Sequence, residues 1–197
     1  MAKKLAIFAS GAGSNYDAIM NAIDAGSLDA EVVLLVCDRL DAKVIEKARR
    51  NQTPTFAFNP KNYPSKVAFE QEILANLLAQ GVEWVILAGY MRLVGPTLLS
   101  VYKSKIINIH PSLLPAFPGK DAIGQAFRAG VKVTGVTIHF VDEGMDTGKI
   151  IDQESLRITD GESRDSLQRR VQVIEHRLYP KTIQSLIEKR EGQERGA

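Results

Sequence analysis

Cysteine is nearly absent from this sequence, since Cys37 is the single one among 197 residues. One cysteine cannot form an internal disulfide, which fits a reducing, cytoplasmic compartment. Long hydrophobic runs are lacking too, because no stretch approaches the roughly 20 apolar residues of a membrane-spanning helix. The short apolar run at the start ends in a glycine turn, which is not typical of a secretory signal peptide. We therefore expect a cytoplasmic protein with no membrane partner.

An excess of charge of one sign is also missing, because 25 basic and 23 acidic residues leave a net charge of +2. This balance provides no broad electrostatic surface for nucleic acid, although a local patch can still hold a small anion. Three histidines and one cysteine, all far apart in the sequence, match no zinc-ligand spacing. We therefore expect no metal site, and small molecules rather than nucleic acid as partners.

Short apolar runs alternate with amphipathic stretches along the chain. The apolar runs predict strands at 5–9, 32–36, 53–58, 84–88, 106–109, 131–141 and 150–158. The amphipathic stretches predict helices at 15–25, 41–50, 64–80, 122–129 and 166–188. Continuously apolar strands between helices indicate a parallel sheet covered on both faces, and hence the α/β class. We expect one domain over residues 1–188, followed by a flexible charged tail at 189–197.

Two helices carry more detailed predictions. Asp41 is placed to cap the second helix at its start. The third helix is predicted to bury one apolar face, formed by Val67, Ile73, Leu74, Leu77 and Leu78.

A glycine-containing loop, Gly11-Ala12-Gly13-Ser14-Asn15, joins the first predicted strand to the first helix. Glycines let a backbone approach a ligand closely, and the free amides of a helix start attract an anion. Tyr16 occupies the place of the third glycine of a dinucleotide fingerprint, so a phosphomonoester suits the loop better than a pyrophosphate. The alternative is a plain turn that Ser14 or Asn15 caps, and the loop by itself does not decide between the two.

Asn108 and His110 lie at the end of a predicted strand, one residue apart. The two-residue period of a strand places both side chains on one side, while Ile109 points into the packing. Ligands of open α/β sheets bind at this carboxyl edge of the strands. A purely structural role for both residues, in loop hydrogen bonding and capping, is the competing interpretation.

An acidic turn, Asp142-Glu143-Gly144-Met145-Asp146-Thr147-Gly148, separates the last two predicted strands. It lacks the glutamate at the twelfth position of a calcium loop, which excludes that type of site. The turn is either a solvated hairpin or the source of one carboxylate directed at a histidine. The spacing does not choose between Asp142 and Asp146.

The remaining polar candidates are expected to be structural. His139 lies within a strand and His176 on the last helix, and both are interpreted as hydrogen-bonded structural histidines. Ser112 lacks the strand-to-helix context of a nucleophilic serine, so a serine hydrolase is not predicted.

Five segments together resemble the folate-dependent formyltransferases, in particular members whose acceptor carries a phosphoribosyl group. They are Ile107–Gly119 (INIHPSLLPAFPG), Val141–Gly148 (VDEGMDTG), Ser10–Asn15 (SGAGSN), Leu87–Arg92 (LAGYMR) and Glu175–Pro180 (EHRLYP). The resemblance implies a three-layer α/β/α fold with a mostly parallel seven-stranded sheet and a Rossmann-like N-terminal half. It also implies a monomer or a homodimer.

The resemblance implies an activity: transfer of a formyl group from 10-formyltetrahydrofolate, as co-substrate, to the amine of glycinamide ribonucleotide in de novo purine (IMP) biosynthesis, without a metal. The catalytic residues that it implies are Asn108, His110 and Asp146. The implied phosphate site consists of Gly13, Ser14 and Asn15, and the implied ribose contact is Glu175. On the folate side it implies Lys66, Met91, Arg92, Leu93, Val94, Asn108 and Val141. Lys149 stands where many family members have proline.

These residue types suit acyl transfer through an oxyanion. Asn108 can donate amide N–H groups to that oxygen, and protonated His110 can donate a charged hydrogen bond. Asp146 would favour the imidazolium form of His110. An apolar slot for the pterin is predicted from Leu87, Leu93, Ile106 and Val141, with Arg92 and Lys66 near the folate carboxylates.

Three other functions remain open at this point. The first is another formyltransferase or a hydrolase that uses 10-formyltetrahydrofolate. The second is a dinucleotide-dependent oxidoreductase, based on the glycine loop and on Asp38 at the end of the second predicted strand. The third is a phosphosugar sensor without catalysis.

Overall fold

A seven-stranded sheet organises the chain in the computed structural model, which describes residues 2–195 except for the side chains of residues 190, 191 and 193–195. The strands are β1 (Lys3–Ala9), β2 (Ala30–Cys37), β3 (Thr55–Ala57), β4 (Trp84–Leu87), β5 (Ile106–His110), β6 (Val133–Phe140) and β7 (Ile150–Arg157). The helices are α1 (Ser14–Asp24), α2 (Lys43–Arg50), α3 (Lys66–Ala79), α4 (Pro96–Val101), α5 (Ala122–Ala129) and α6 (Arg164–Arg195), with a 3₁₀ turn at Pro60–Asn62.

The strands lie in the order β3-β2-β1-β4-β5-β6-β7. The first five of these run parallel, whereas β6 pairs antiparallel with both β5 and β7. Along the sequence, β2 and β3 extend the sheet on one side of β1, and β4 then pairs with the other side of β1. The predicted α/β class and mostly parallel sheet are confirmed, and so is the Rossmann-like N-terminal half.

Each face of the sheet contributes to its own hydrophobic core. In β1, Leu5, Ile7 and Ala9 point into a core shared with α1, α2 and α6. The alternate residues Ala6 and Phe8 point into a core shared with α3 and α4. All five of these side chains are fully buried. A strand with both faces buried reads as a continuous apolar run, which is why the sequence marks the parallel strands so clearly.

The prediction that Asp41 caps α2 is wrong. Ala42 occupies the N-cap position without a side-chain hydrogen bond, and exposed Asp41 pairs with Arg39 at 3.5 Å instead. The cap at α3 follows the usual rule, because Ser65 Oγ accepts a hydrogen bond from the amide of Ala68 at 3.2 Å.

The predicted apolar face of α3 is partly wrong as well. Val67 and Leu78 are 52% and 59% exposed, whereas Phe69, Ile73 and Leu77 are buried. The buried side of the helix also carries the carboxylate of Glu70. The helix is therefore rotated about its axis relative to the prediction.

α6 extends from Arg164 to Arg195, beyond the predicted 166–188. The flexibility of residues 189–195 stays a prediction, and Gly196 and Ala197 lie outside the described residues. The hydroxyl of Tyr179 on α6 donates to the carbonyls of Leu87 and Ile107, at 2.9 and 3.2 Å, and so ties this helix to β4 and β5. Among the described helices, none is both long and apolar enough to span a membrane.

Candidate active site

A cavity of about 620 Å³ opens at the carboxyl ends of the parallel strands. The loops after β1 and β4 separate there, because the chain reverses the direction of sheet building between these strands. The cavity is lined by residues 11–15 after β1, 87–94 from β4 onward, 108–111 and 119–123 around β5, by His139, Val141, Asp142 and 144–146 near β6, and by Arg164, Gln168, Gln172 and Glu175 of α6.

The glycine loop enters α1 without a side-chain cap. Gly13 occupies the N-cap position in the left-handed region, with φ of 72°, and neither Ser14 nor Asn15 makes the capping hydrogen bond that the plain-turn alternative requires. A Cβ atom on Gly13 would lie 2.6 Å from Cγ2 of Val44. The first amides of α1 have no intrahelical acceptor, so they face the cavity as donors for an anion.

α2 supports this loop from behind. The amide of Val44 donates to the carbonyl of Gly11 at 3.1 Å, and Lys47 Nζ donates to the carbonyl of Gly13 at 3.2 Å. Lys47 also pairs with Asp17 on α1. The loop geometry is therefore fixed before any ligand arrives.

Glu175 lies beside the glycine loop, 92% buried. Asn15 Nδ2 donates to its carboxylate at 3.4 Å. Burial raises the pKa of Glu175 to about 7, and the hydrogen bond from Asn15 offsets only part of that effect. The two groups together form a buried polar corner next to the glycine loop, in which Asn15 Oδ1 is left without a hydrogen-bond partner among the described residues.

Asp146 is the centre of a second polar cluster, at the other side of the cavity. One carboxylate oxygen lies 3.5 Å from His110 Nδ1 and accepts the amide of Gly119 at 2.7 Å. The other oxygen lies 3.5 Å from Asn108 Nδ2 and 3.6 Å from His139 Nε2. The structure thus brings Asn108, His110 and Asp146 together, and it directs Asp146 rather than Asp142 inward. Asp142 instead accepts hydrogen bonds from the amide of Gly144 and the hydroxyl of Thr147 within the turn.

Hydrogen bonds to backbone carbonyls determine which ring nitrogens carry protons. His110 Nε2 donates to the carbonyl of Phe117 at 2.8 Å, so its Nδ1 is the nitrogen that faces Asp146. His139 Nδ1 donates to the carbonyl of Phe140 at 2.8 Å. His139 Nε2 lies 3.1 Å from Asn108 Nδ2, between the amide of Asn108 and the carboxylate of Asp146.

The carboxylate of Asp146 is stabilised in its charged form. Burial raises its pKa, but the hydrogen bond with His139, the amide of Gly119 and the charges of His110 and His139 outweigh that effect and lower it. Asp146 therefore stays ionised at neutral pH.

The prediction that His139 is hydrogen-bonded is confirmed, and the structure adds that its ring belongs to this cluster. Its position follows from strand register: His139 of β6 pairs directly with Asn108 of β5 in the antiparallel ladder. The two-residue period of β6 places its side chain on the cavity side, but only the register shows what it faces. No local sequence signal contains that register.

Apolar residues line the cavity beyond the polar cluster. Leu87, Leu93 and Val141 are among the lining residues, as predicted, but Ile106 is 1% exposed and belongs to the core beneath. Met91 and Leu93 are 60% and 48% exposed at the cavity rim. Exposed apolar residues that cluster at the edge of a cavity are typical of ligand-binding or interaction surfaces.

Lys66 lies outside the main cavity. It lines an adjoining groove together with Lys61, Tyr63 and Arg92, and its Nζ is 3.8 Å from the buried carboxylate of Glu70. Arg92 borders both the cavity and the groove. The two predicted cations thus share one channel that continues from the apolar part of the cavity.

The remaining polar residues considered from the sequence do not present reactive groups to the cavity. Ser112 is fully buried and donates to the carbonyl of Ala116 at 2.6 Å, which is not the geometry of a nucleophile. Burial raises the pKa of the Cys37 thiol. Both carboxylate oxygens of Asp38 already accept side-chain hydrogen bonds, which argues against its use as a ribose-binding acid. The prediction that His176 is a hydrogen-bonded histidine is wrong at Nε2, because this buried atom has no hydrogen-bond partner among the described residues.

A family model described as formyl transferase matches residues 3–183. The chain belongs to this formyl transferase family. In the described part of the chain, no group of three or more histidine, cysteine or acidic side chains is arranged to hold a metal ion.

Full-length relatives within the family share this fold and much of the sequence. The chain is 55% identical over 185 residues to the phosphoribosylglycinamide formyltransferase of Bacillus subtilis, which covers 94% of this chain and 95% of the relative. The crystal structure of the phosphoribosylglycinamide formyltransferase from Bacillus halodurans superimposes with a TM-score of 0.93 at 55% identity, covering 95% and 96% of the two chains. That of glycinamide ribonucleotide transformylase 1 from Geobacillus kaustophilus gives 0.92 at 60% identity, covering 94% and 99%.

Proposed function

We propose that this protein transfers the formyl group of 10-formyltetrahydrofolate to the amine of glycinamide ribonucleotide in de novo purine biosynthesis. The observation that carries the proposal is the placement of Asp146 between Asn108 and His110, in a cavity that begins at an anion-binding glycine loop. The names of the full-length relatives support the same acceptor.

The acceptor occupies the end of the cavity at the glycine loop. Its phosphate binds the first amides of α1 with the side chains of Ser14 and Asn15, because helix N-termini attract dianions. Ribose hydroxyls donate to Glu175, whose carboxylate accepts a single hydrogen bond among the described residues, from Asn15 at 3.4 Å. These contacts direct the glycinamide amine toward Asp146.

The donor occupies the opposite end. The flat pterin lies against the apolar residues of the segment after β4, including Met91, Leu93 and Val94, and against Val141. Its benzoyl-glutamate part leaves along the groove that Lys66 and Arg92 border. The formyl carbon then lies between the two substrates, next to Asn108 and His110.

Reaction begins when the neutral amine attacks the formyl carbon and its oxygen becomes an oxyanion. Asn108 and protonated His110 donate hydrogen bonds to this oxygen, and each such donor typically stabilises the transition state by about 3 kcal/mol. The 3.5 Å separations of Asn108 Nδ2 and His110 Nδ1 from Asp146 are long for hydrogen bonds, so both donors can turn to a substrate oxygen.

The intermediate must move one proton before it collapses. The attacking nitrogen loses a proton and N10 of the folate gains one, after which the bond from carbon to N10 breaks. Protonated His110 donates a proton to N10, and the neutral imidazole that results accepts the proton of the attacking nitrogen, which restores the imidazolium. Such general acid–base catalysis contributes about 10²–10⁴-fold. Tetrahydrofolate and the formylated ribonucleotide are the products, with no covalent enzyme intermediate.

The test is an assay with both purified substrates. We expect an absorbance change of the folate that depends on the ribonucleotide, and a product heavier by one formyl group in mass spectrometry. Release of formate without the ribonucleotide would instead indicate a hydrolase. Ribonucleotide binding with no change of the folate would indicate a sensor, and tight binding of NAD alone would favour the oxidoreductase alternative.

A further inference from the structure

Asp38 is a buried acid at the end of β2 that the reaction does not use. It is 7% exposed, and both of its carboxylate oxygens accept short hydrogen bonds. Ser10 Oγ donates to one oxygen at 2.5 Å, and Arg92 Nε donates to the other at 2.7 Å. These donors come from the loop after β1 and from the segment after β4, which are the two sides of the topological switch point.

Ser10 connects Asp38 to the segment after β4, on the side of the cavity where the donor is proposed to bind. Its hydroxyl accepts the amide of Met91 at 3.0 Å, and its own amide donates to the carbonyl of Gly89 at 3.1 Å. Since a hydroxyl that donates to Asp38 keeps its lone pairs for Met91, one carboxylate orients the whole arrangement. The backbone from 89 to 91 is thereby fixed at the rim where the pterin is proposed to lie.

Arg92 is held in a way that leaves part of its guanidinium for a ligand. The hydrogen bond to Asp38 uses Nε alone, and the guanidinium carbon lies 5.9 Å from the centre of the Phe69 ring. Within residues 2–195, no hydrogen bond occupies its two terminal amino groups. The side chain is 40% exposed and borders the groove that Lys61 and Lys66 also line.

We propose that Asp38 is a positioning residue for the donor, which presents the free amino groups of Arg92 to a carboxylate of the folate glutamate and fixes Met91 through Ser10. The proposal rests on the proposed function, because it takes 10-formyltetrahydrofolate as the donor. An arginine that is oriented in advance loses less side-chain entropy when it binds a carboxylate in bidentate geometry.

Two substitutions separate the two arms of this network. Asp38→Asn keeps an oxygen that accepts from Ser10 but turns an amide N–H toward Arg92, which removes the charged arm alone. Ser10→Ala removes the link to Met91 and leaves the ion pair with Arg92 intact. Asp41→Asn is the matched control, since exposed Asp41 loses the same charge and pairs with exposed Arg39 rather than with Ser10 or Arg92.

The experiment compares two donors: 10-formyltetrahydrofolate and 10-formyltetrahydropteroate, which lacks the glutamate. We expect Asp38→Asn to raise the KM of the glutamate-bearing donor about tenfold, the typical effect of one charge-assisted hydrogen bond. The KM of the truncated donor, the KM of the ribonucleotide and kcat should change by less than about twofold, as should every parameter of Asp41→Asn.

Equal losses with both donors, or an equal rise in the KM of the ribonucleotide, would overturn the proposal and leave Asp38 a structural residue. A wild-type protein that is inactive with both donors would overturn the proposed function itself. Ser10→Ala gives an independent answer if Asp38→Asn folds poorly. It should raise the KM of both donors alike without affecting the ribonucleotide, and an unchanged donor KM would refute the link through Ser10.

Discussion

Asp146 combines an unusual backbone conformation with the central position in the site. Its φ of 57° lies in the left-handed region, which aspartate tolerates better than most residues. The strain is local, whereas the benefit is shared by Asn108, His110 and His139, all of which lie within 3.6 Å of the carboxylate. Backbone strain of this kind is typical of functional sites.

Asp146→Asn should reduce kcat by about 10²–10⁴-fold, the usual contribution of general acid–base catalysis. Asparagine keeps an oxygen for the amide of Gly119 but no longer favours the imidazolium of His110. The KM of the ribonucleotide should change by less than about twofold, because we propose that its phosphate binds at the glycine loop rather than beside Asp146. Steady-state kinetics with saturating folate measure both values, and wild-type kcat would exclude Asp146 from the mechanism.

Glu175 makes stability depend on pH. Its pKa of about 7 in the folded protein exceeds the value of 4.5 that it takes when unfolded, so its ionisation destabilises the fold as pH rises through this window. Relative to wild type, the free energy of unfolding of Glu175→Gln should increase by roughly 2 to 3 kcal/mol between about pH 5 and about pH 8. Urea unfolding at the two pH values measures this difference.

Glu31→Gln is the control for that comparison, since Glu31 is exposed on β2 and its neutralisation removes the same charge without changing burial. An identical pH response in both variants would contradict the assignment. The same Glu175→Gln change should weaken ribonucleotide binding, because ribose hydroxyls lose a charged acceptor. Stability and binding thus place opposite demands on this one carboxylate.

At the scale of elements, α2 supports the loop that precedes α1. Gly13→Ala should weaken ribonucleotide binding, because the new Cβ would lie 2.6 Å from Cγ2 of Val44 and push the loop away from α2. Gly26→Ala is the matched control at the other end of α1: its φ of 71° imposes similar backbone strain, but nothing lies within 4 Å of the added atom.

Both glycine variants should lose about 1–2 kcal/mol of stability from the left-handed conformation. Only Gly13→Ala should raise the Kd of the ribonucleotide. Isothermal titration calorimetry of both variants and of the wild type measures this difference. If the two variants bound it equally well, the contact between Val44 and the loop would have no part in positioning the phosphate.

The sequence predicts elements well where a single local rule decides them. α5 spans Ala122–Ala129 in both the prediction and the structure, and the parallel strands agree because their buried faces make them apolar throughout. Predictions fail where partners from elsewhere in the chain decide. Asp41 pairs with Arg39 rather than capping α2, and Ile106 lies beneath the cavity. Likewise, the partner that His139 faces depends on its register against Asn108, which no local pattern contains.

At the scale of the whole molecule, the site exists only in the assembled fold. Asn15 of the glycine loop and Glu175 form a hydrogen bond although they are 160 residues apart in the sequence. Asn108 and Asp146, which are also in contact, are 38 residues apart. Sequence patterns mark each of these segments, but the crevice between them follows from the order of the strands. This is why motif resemblance, rather than periodicity, selects Asp146 over Asp142 before the structure is known.

Ligand binding should stabilise the entire domain. Ribonucleotide at about 100 times its Kd should add about 2.7 kcal/mol to the free energy of unfolding, which raises Tm by roughly 5–10 °C for a chain of this size. Ser14→Asp should abolish that rise through charge repulsion with the phosphate. Differential scanning fluorimetry measures it, with the exposed Ser27→Asp as control for the added charge.

Asp at the first position of α1 is favourable for the helix itself, so the free Ser14→Asp protein should unfold near the wild-type temperature. A missing response to ligand would then reflect lost binding rather than lost folding. If the ribonucleotide stabilised Ser14→Asp as strongly as wild type, the phosphate would lie elsewhere.

The hydrogen bond from the amide of Gly119 to Asp146 joins the proline-rich loop after β5 to the acidic turn between β6 and β7. Both loops line the cavity, so a movement of either loop that breaks this hydrogen bond also displaces the carboxylate that we propose to act in catalysis. We therefore expect the rate of substrate exchange and the rate of formyl transfer to be coupled. A substitution that loosens either loop should change both rates together.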